Sequence, residues 1–223
     1  MPVIERIGDI YRRIAHAAMR SGREPDDVKL VAVTKTMPAE AVREAVEAGL
    51  RAFGESKVQE ARAKAAELRG LNIEWHMVGH LQRNKARQAV EIFELIHSVD
   101  SVELLELINR AAALAGKVQR VLVQLNLSGE ESKSGAREAD LAGFLDAAFG
   151  MENVIVEGLM TIPPYSEDPG ASRPIYRRLR ELAQASGLAE LSMGMTGDFE
   201  VAIEEGATIV RVGTAIFGER VRA

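Results

Sequence analysis

Eight short runs rich in β-branched and apolar residues alternate with helical stripes along this 223-residue chain, and that alternation constrains its fold more than any other feature. The strand candidates are Lys29–Val33, Leu50–Phe53, Ile73–Val78, Leu95–Val99, Arg120–Asn126, Val154–Met160, Leu191–Met193 and Thr208–Val212. The second and seventh are weak by pattern and are read chiefly from their place in the series. Unbroken alternation of strand and helix means right-handed βαβ units and a parallel sheet. Eight units of roughly 25 residues fit a (β/α)8 TIM-type barrel. A doubly wound open sheet is the alternative, but no Gly-x-Gly-x-x-Gly follows the first strand.

The intervening stripes repeat at three-to-four spacing. Val42, Ala45 and Val46 follow Pro38 and end at Gly49, a suitable start and stop for a helix. Val58, Ala61, Ala65 and Leu68 precede Gly70, and Val102, Leu105, Ile108 and Ala112 follow the capping residues Asp100 and Ser101. Leu141, Phe144, Leu145 and Ala148 form the next stripe, then Ile175, Leu179 and Leu182, and last Phe199, Ala202 and Ile203. Before the first strand, Ile4, Ile7, Tyr11, Ile14 and Ala18 predict an extra N-terminal helix. No linker or repeat divides the chain, so residues 1–223 are expected to form a single domain. The segment Thr161–Pro174 holds four of the seven prolines and reads as a loop on the functional face.

Composition narrows the function classes. The chain is 47% hydrophobic with a formal net charge of −5, which argues against a general nucleic-acid binder. Two basic clusters, Arg83/Lys85/Arg87 and Arg173/Arg177/Arg178/Arg180, have acidic neighbours and read as solvated helix faces. Cysteine is absent, which removes disulfides and thiolate metal sites. No signal-peptide core and no apolar stretch of membrane-spanning length is evident, so a cytoplasmic protein with no membrane partner is expected.

Lys35 closes the apolar run Leu30-Val31-Ala32-Val33-Thr34. A charge at the mouth of an apolar strand is costly to desolvate, which favours the neutral, nucleophilic amine; a lysine snorkelling into water is the ordinary alternative. In a barrel, active groups sit at the C-terminal strand ends and phosphate sites after strands seven and eight. Those places carry Leu191-Ser192-Met193-Gly194-Met195-Thr196-Gly197-Asp198 and Arg211-Val212-Gly213-Thr214, two turns whose glycines, amides and hydroxyls suit a phosphate. Arg211 shares a strand face with Gly213 and needs an acceptor, either an internal carboxylate or a ligand ring nitrogen. Strands one and eight are neighbours once a barrel closes. An imine-forming lysine, an arginine and a phosphate cradle together describe a site for pyridoxal 5′-phosphate (PLP). His76 and His80 have metal-like spacing but span a strand and Gly79, and are expected to be polar groups at the barrel mouth. His97 is expected in the core or mouth of the fourth strand. The loop Ser128–Gly135 is small and polar, by default a solvated surface loop.

The chain resembles the YggS/PROSC-type pyridoxal phosphate homeostasis proteins almost end to end. The likeness is carried in order by Val31–Thr36, Phe53–Glu55, Val58–Glu60, Trp75–Gln82, Ile96–Asp100, Asn126–Ser128, Glu131–Gly135, Gly158–Met160, Leu191–Met195 and Val210–Gly218. The resemblance implies a PLP-binding barrel like the N-terminal domain of alanine racemase, with Lys35 carrying the cofactor as an internal aldimine. It implies that Ser192, the Met193 backbone, Gly213 and Thr214 hold the phosphate and that Arg211 faces the pyridine nitrogen. Two positions depart from the family pattern. Ser56-Lys57 stands where Asn-Tyr is usual, making Ser56 a shorter substitute at the ring side. Met37 replaces a second lysine frequent in relatives.

Three functions compete: a PLP homeostasis protein that carries the cofactor without turnover, a PLP-dependent amino-acid racemase, and a cofactor-free Schiff-base aldolase. An arginine at the ring nitrogen discourages its protonation, which disfavours decarboxylation and transamination but is tolerated by racemases. A racemase also needs a second acid/base on the opposite face. In alanine racemase an additional β-domain supplies it, and here only ten residues follow Gly213. Among Tyr11, Tyr165 and Tyr176, only Tyr165 lies on an expected functional-face loop. The aldolase reading leaves Arg211 without a specific purpose. The carrier is the expected function, with no catalytic residue, no metal, a monomeric state, and PLP-dependent apo-enzymes as candidate recipients.

Overall fold

Eight parallel strands close on themselves in chain order in the computed structural model, which describes residues 1–130 and 134–218. The strands are β1 (Lys29–Val33), β2 (Ala52–Glu55), β3 (Glu74–Met77), β4 (Leu95–Val99), β5 (Gln119–Gln124), β6 (Val154–Met160), β7 (Glu190–Ser192) and β8 (Ile209–Val212). Closure is sealed by β1 against β8, with Val31 opposite Arg211 and Ala32 opposite Val212. Helices follow every strand: α2 (Ala39–Glu47), α3 (Val58–Glu67), α4 (Ala86–Ile92), α5 (Val102–Leu114), α6 (Leu141–Phe149), α7 (Arg173–Ala185), α8 (Phe199–Glu204) and the single turn α9 (Thr214–Phe217). The first helix, α1 (Val3–Arg20), precedes the barrel and packs on α8 and α9.

Strands and helices share one apolar shell. Residues such as Phe53, Ile96, Val121, Leu159 and Val210 point outward from the strands into the helical ring and are fully buried there. The stripe of α1 is rotated from the sequence expectation. Ile7, Ile10, Ile14, Ala17 and Ala18 are buried, whereas Ile4 is 63% and Tyr11 46% exposed. Burying each of the three isoleucines contributes about 1.5–3 kcal/mol, which fixes α1 across the end of the series. Ser101 caps α5 by accepting from the Leu104 amide, as its sequence position suggests.

The barrel interior is more polar than its shell. A charged layer closes the N-terminal end, where Lys29 and Arg120 reach Glu74 and Arg120 also reaches Glu157. Above it lies a small apolar layer of Val31, Ala52, Leu95, Leu122 and Ile209. Gly54 leaves room for it, since a Cβ there would lie 3.0 Å from a Val31 methyl.

The basic cluster on α7 is neutralised within the fold: Arg173 pairs with Glu204 and Glu205, Arg177 with Glu205, and Arg178 with Glu138 and Glu181. No helix among the described residues is long and apolar enough to cross a membrane. Within the expected loop Ser128–Gly135, residues Glu131, Ser132 and Lys133 lie outside the described residues.

Candidate functional site at the β8–β1 seam

The closing pair of strands sets up the site. Past the end of β1, half-buried Lys35 lines a small cavity with Val33, Met37, Gly213, Thr214 and Phe217. Gly213 allows a close approach there, because a Cβ would stand a tight 3.1 Å from the Val33 carbonyl oxygen. The next residue, Thr36, has φ of 67°, a left-handed conformation that costs a β-branched residue about 1–3 kcal/mol. The surroundings over-determine it. Glu60 accepts from the Thr36 amide at 2.5 Å, and Lys64 joins Glu60 to the Thr34 carbonyl at 2.7 Å each. Lys64 also bonds Glu55 at 2.6 Å, and the Thr34 hydroxyl donates to the same carboxylate oxygen. Burial pushes the Glu55 carboxyl up, and Lys64 and Thr34 oppose that shift. Lys35 thus leaves β1 on a backbone held by a buried ion cluster.

The loops after β7 and β8 form the second half. Gly194 has φ of 88° and no room for a side chain, since a Cβ would approach Ala202 Cβ at 2.5 Å. Asp198 then folds the loop back: its Oδ1 accepts from the Met195 amide at 2.8 Å, and its Oδ2 accepts from the Tyr176 hydroxyl at 2.6 Å and the Ser172 hydroxyl at 3.0 Å. This places Thr196 Oγ1 3.4 Å from the Gly213 amide nitrogen and 3.2 Å from Thr214 Oγ1. One weakly committed N–H and two hydroxyls, beside Lys35, make a cradle for a phosphate-sized anion.

Beneath this cradle runs a buried polar chain. Arg211, only 4% exposed, donates from Nη1 to Ser192 Oγ at 2.6 Å and from Nη2 to the Thr161 carbonyl at 3.1 Å. Among the described residues no carboxylate forms an ion pair with it, and burial lowers its guanidinium from the ordinary value. Ser192 Oγ lies 2.8 Å from His97 Nδ1, and His97 Nε2 lies 2.8 Å from His76 Nδ1. His76 Nε2 stands 3.1 Å from Glu74 Oε1, out of alignment for a good hydrogen bond. Burial pushes both imidazoles down, favouring the neutral form.

The residues expected from sequence fall into three positions. Lys35, Gly213 and Thr214 meet at the cavity. Arg211 and Ser192 lie below it, and Met193 is buried with its amide donating to Ile209 within the sheet. Ser56 is half-buried in an adjacent cleft with Lys57, Gly79 and His80, between the ends of β2 and β3. The expectation that His76 and His80 share the barrel mouth is corrected. Strand alternation sends His76 into the core, whereas His80 lies past β3, exposed and 3.4 Å from Asp100. His97 is likewise a core residue. Thr196 and Asp198 were not singled out from sequence, although both lie in the turn that was; their roles depend on how the loop folds back.

Comparison with known proteins identifies the chain's relatives. The chain matches the family "Alanine racemase, N-terminal domain" over residues 8–221. It is 44% identical over 226 residues to the pyridoxal phosphate homeostasis protein of Aquifex aeolicus, covering 99% of both chains. PipY of Synechococcus elongatus PCC7942, solved with PLP bound, is 41% identical with a TM-score of 0.84, covering 97% of this chain and 100% of that one. Alanine racemase of Clostridium difficile 630 is 15% identical with a TM-score of 0.68 over 96% of this chain and 57% of its own, a likeness of fold alone. The chain belongs to the alanine racemase N-terminal domain family, within its pyridoxal phosphate homeostasis proteins.

Proposed function

We propose that this protein binds pyridoxal 5′-phosphate at the β8–β1 seam and carries it without turning over a substrate. The observation that bears this reading is the convergence of Lys35, the Thr196–Gly213–Thr214 cradle and a buried Arg211 lacking a carboxylate partner among the described residues. Those residues fit the cofactor. Gly213 presses its backbone against Val33, which keeps the cradle free of a side chain beside the lysine. When bound, PLP supplies an aldehyde that a neutral lysine amine can capture.

In this reading Lys35 holds the cofactor covalently, while the Gly213 amide and the Thr214 and Thr196 hydroxyls bind its phosphate. Arg211 faces the ring nitrogen and keeps its charge there, which opposes protonation of that nitrogen. Ser192 and Met193 support the cradle from beneath, and Ser56 borders the mouth from the β2 side. The tyrosine best placed in sequence for a second acid/base, Tyr165, is 90% exposed, which favours a carrier over a racemase.

The test is to load the protein with PLP, follow its visible absorption, and assay the complex for racemisation, transamination and decarboxylation of amino acids. The same complex is then mixed with an apo PLP enzyme. A carrier activates the apo-enzyme and shows none of the three turnovers. Sustained turnover at a rate lost in Lys35→Ala overturns the carrier reading.

A further inference from the structure

The donors and acceptors of the buried chain can be assigned from one end. Arg211 has only N–H groups to offer, so the Ser192 oxygen accepts. Among the described residues the other hydrogen-bonding neighbour of that hydroxyl is His97 Nδ1. If the hydroxyl proton points there, His97 Nδ1 is the acceptor and His97 Nε2 carries the proton. His97 Nε2–H then donates to His76 Nδ1, and His76 Nε2–H faces the Glu74 carboxylate. The reverse assignment fails at both ends. It leaves the Ser192 proton without a partner and sets a bare His76 nitrogen against a carboxylate oxygen. An imidazolium at His97 is opposed by the cations around it, Arg211 on β8, Lys29 on β1 and Arg120 on β5, while the carboxylates Glu74 and Glu157 pair with Lys29 and Arg120 at the N-terminal end.

We propose that His97 and His76 are positioning residues for Arg211, a one-way chain of two neutral Nε2–H imidazoles that fixes the Ser192 hydroxyl as acceptor for the guanidinium. The chain spans the barrel from the charged layer at its N-terminal end to the floor of the cofactor site. All four contacts point one way, and the three hydrogen bonds from Arg211 through Ser192 and His97 to His76 polarise one another. The consequence for the cofactor rests on the proposed function: an arginine held in this way presents a fixed charge to the ring. The tautomers themselves do not depend on that reading.

The experiment has a cofactor-free arm and a loaded arm. In 15N-labelled protein without PLP, long-range correlations of the imidazole nitrogens across the folded pH range report tautomer and charge. Both rings are expected as Nε2–H, with no titration near the ordinary imidazole midpoint. A His97 Nδ1–H tautomer, or an ordinary titration of either ring, overturns the proposal. Ser192→Ala is expected to perturb the His97 Nδ1 signal and tautomer; an unchanged His97 overturns it as well.

In the loaded arm, His97→Phe is expected to bind PLP roughly tenfold more weakly and to move the pH profile of its visible band, while borohydride still fixes the cofactor to Lys35. Loss of thermal stability with an unchanged profile and affinity indicates a packing role only and overturns the proposal. If wild-type protein takes up no PLP, the cofactor reading fails while the cofactor-free arm still decides the tautomers.

Discussion

Thr196 Oγ1 lies 3.4 Å from the Gly213 amide nitrogen and so ties the loop after β7 to the loop after β8. At that length the contact is weak, and both groups are poised to turn to an anion. Thr196→Val keeps the shape and removes the hydroxyl. PLP affinity is expected to fall about 5- to 30-fold, for a loss of about 1–2 kcal/mol. Folding stability is expected to change by less than about 0.5 kcal/mol, since Thr196 is not in the core. Titration by visible absorption beside urea unfolding checks both; an unchanged affinity removes Thr196 from the cradle.

Gly194 is the hinge that brings Thr196 there. Its φ of 88°, and the 2.5 Å that would separate an added Cβ from Ala202 Cβ, leave no place for alanine. Gly194→Ala is expected to cost about 2–3 kcal/mol and to weaken PLP binding by displacing the cradle. The urea midpoint and the cofactor titration should fall together.

Six strands were legible from locally distinct β-branched runs and the second and seventh from their place in the series, and β1, β4 and β6 coincide with the spans read from sequence. The weaker β2 lies two residues further on, at Ala52–Glu55, where Gly54 interrupts the apolar pattern but is needed inside the barrel. Lys64 occupies a buried position of α3 that the stripe rule gives to an apolar residue, because its partners Glu55 and Thr34 come from other elements. Lys35, Arg211, Gly213 and Thr214 were singled out from strand position and from the resemblance, and the fold brings Lys35, Gly213 and Thr214 to one cavity. The His76–His97–Ser192 contacts join residues 21 and 95 apart, and only the closed barrel brings those strands face to face.

The two core histidines should make stability pH-dependent in a defined direction. Their folded-state values lie below the ordinary 6.5, so stability is full above that value. As pH falls below it, the unfolded chain takes up protons that the folded one refuses. Each histidine contributes a slope of up to about 1.4 kcal/mol per pH unit. His97→Phe is expected to remove one such slope between about pH 6.5 and 5, whatever its effect on absolute stability. Urea midpoints across that interval measure it, and an unaltered slope contradicts a neutral buried His97.

Lys64 should be costly to remove for an electrostatic reason. Lys64→Met strips the ammonium from the buried Glu55 carboxylate and frees the Thr36 segment, at about 3–5 kcal/mol. Because burial already raises the Glu55 value, protonating it relieves the penalty, so the loss should be larger at pH 8 than at pH 5. The double variant Lys64→Met/Glu55→Gln should recover part of the loss at pH 8. Equal losses at the two pH values would contradict a charged Glu55.

The most direct measurement is borohydride reduction of the protein incubated with PLP, followed by peptide mass spectrometry, with Lys35→Ala and Lys64→Met in parallel. The account predicts a yellow protein whose reduced pyridoxyl group is found on the peptide containing Lys35, retained in Lys64→Met and absent in Lys35→Ala. A pyridoxyl group fixed mainly on other lysines, or a protein that stays colourless with excess PLP, would contradict it.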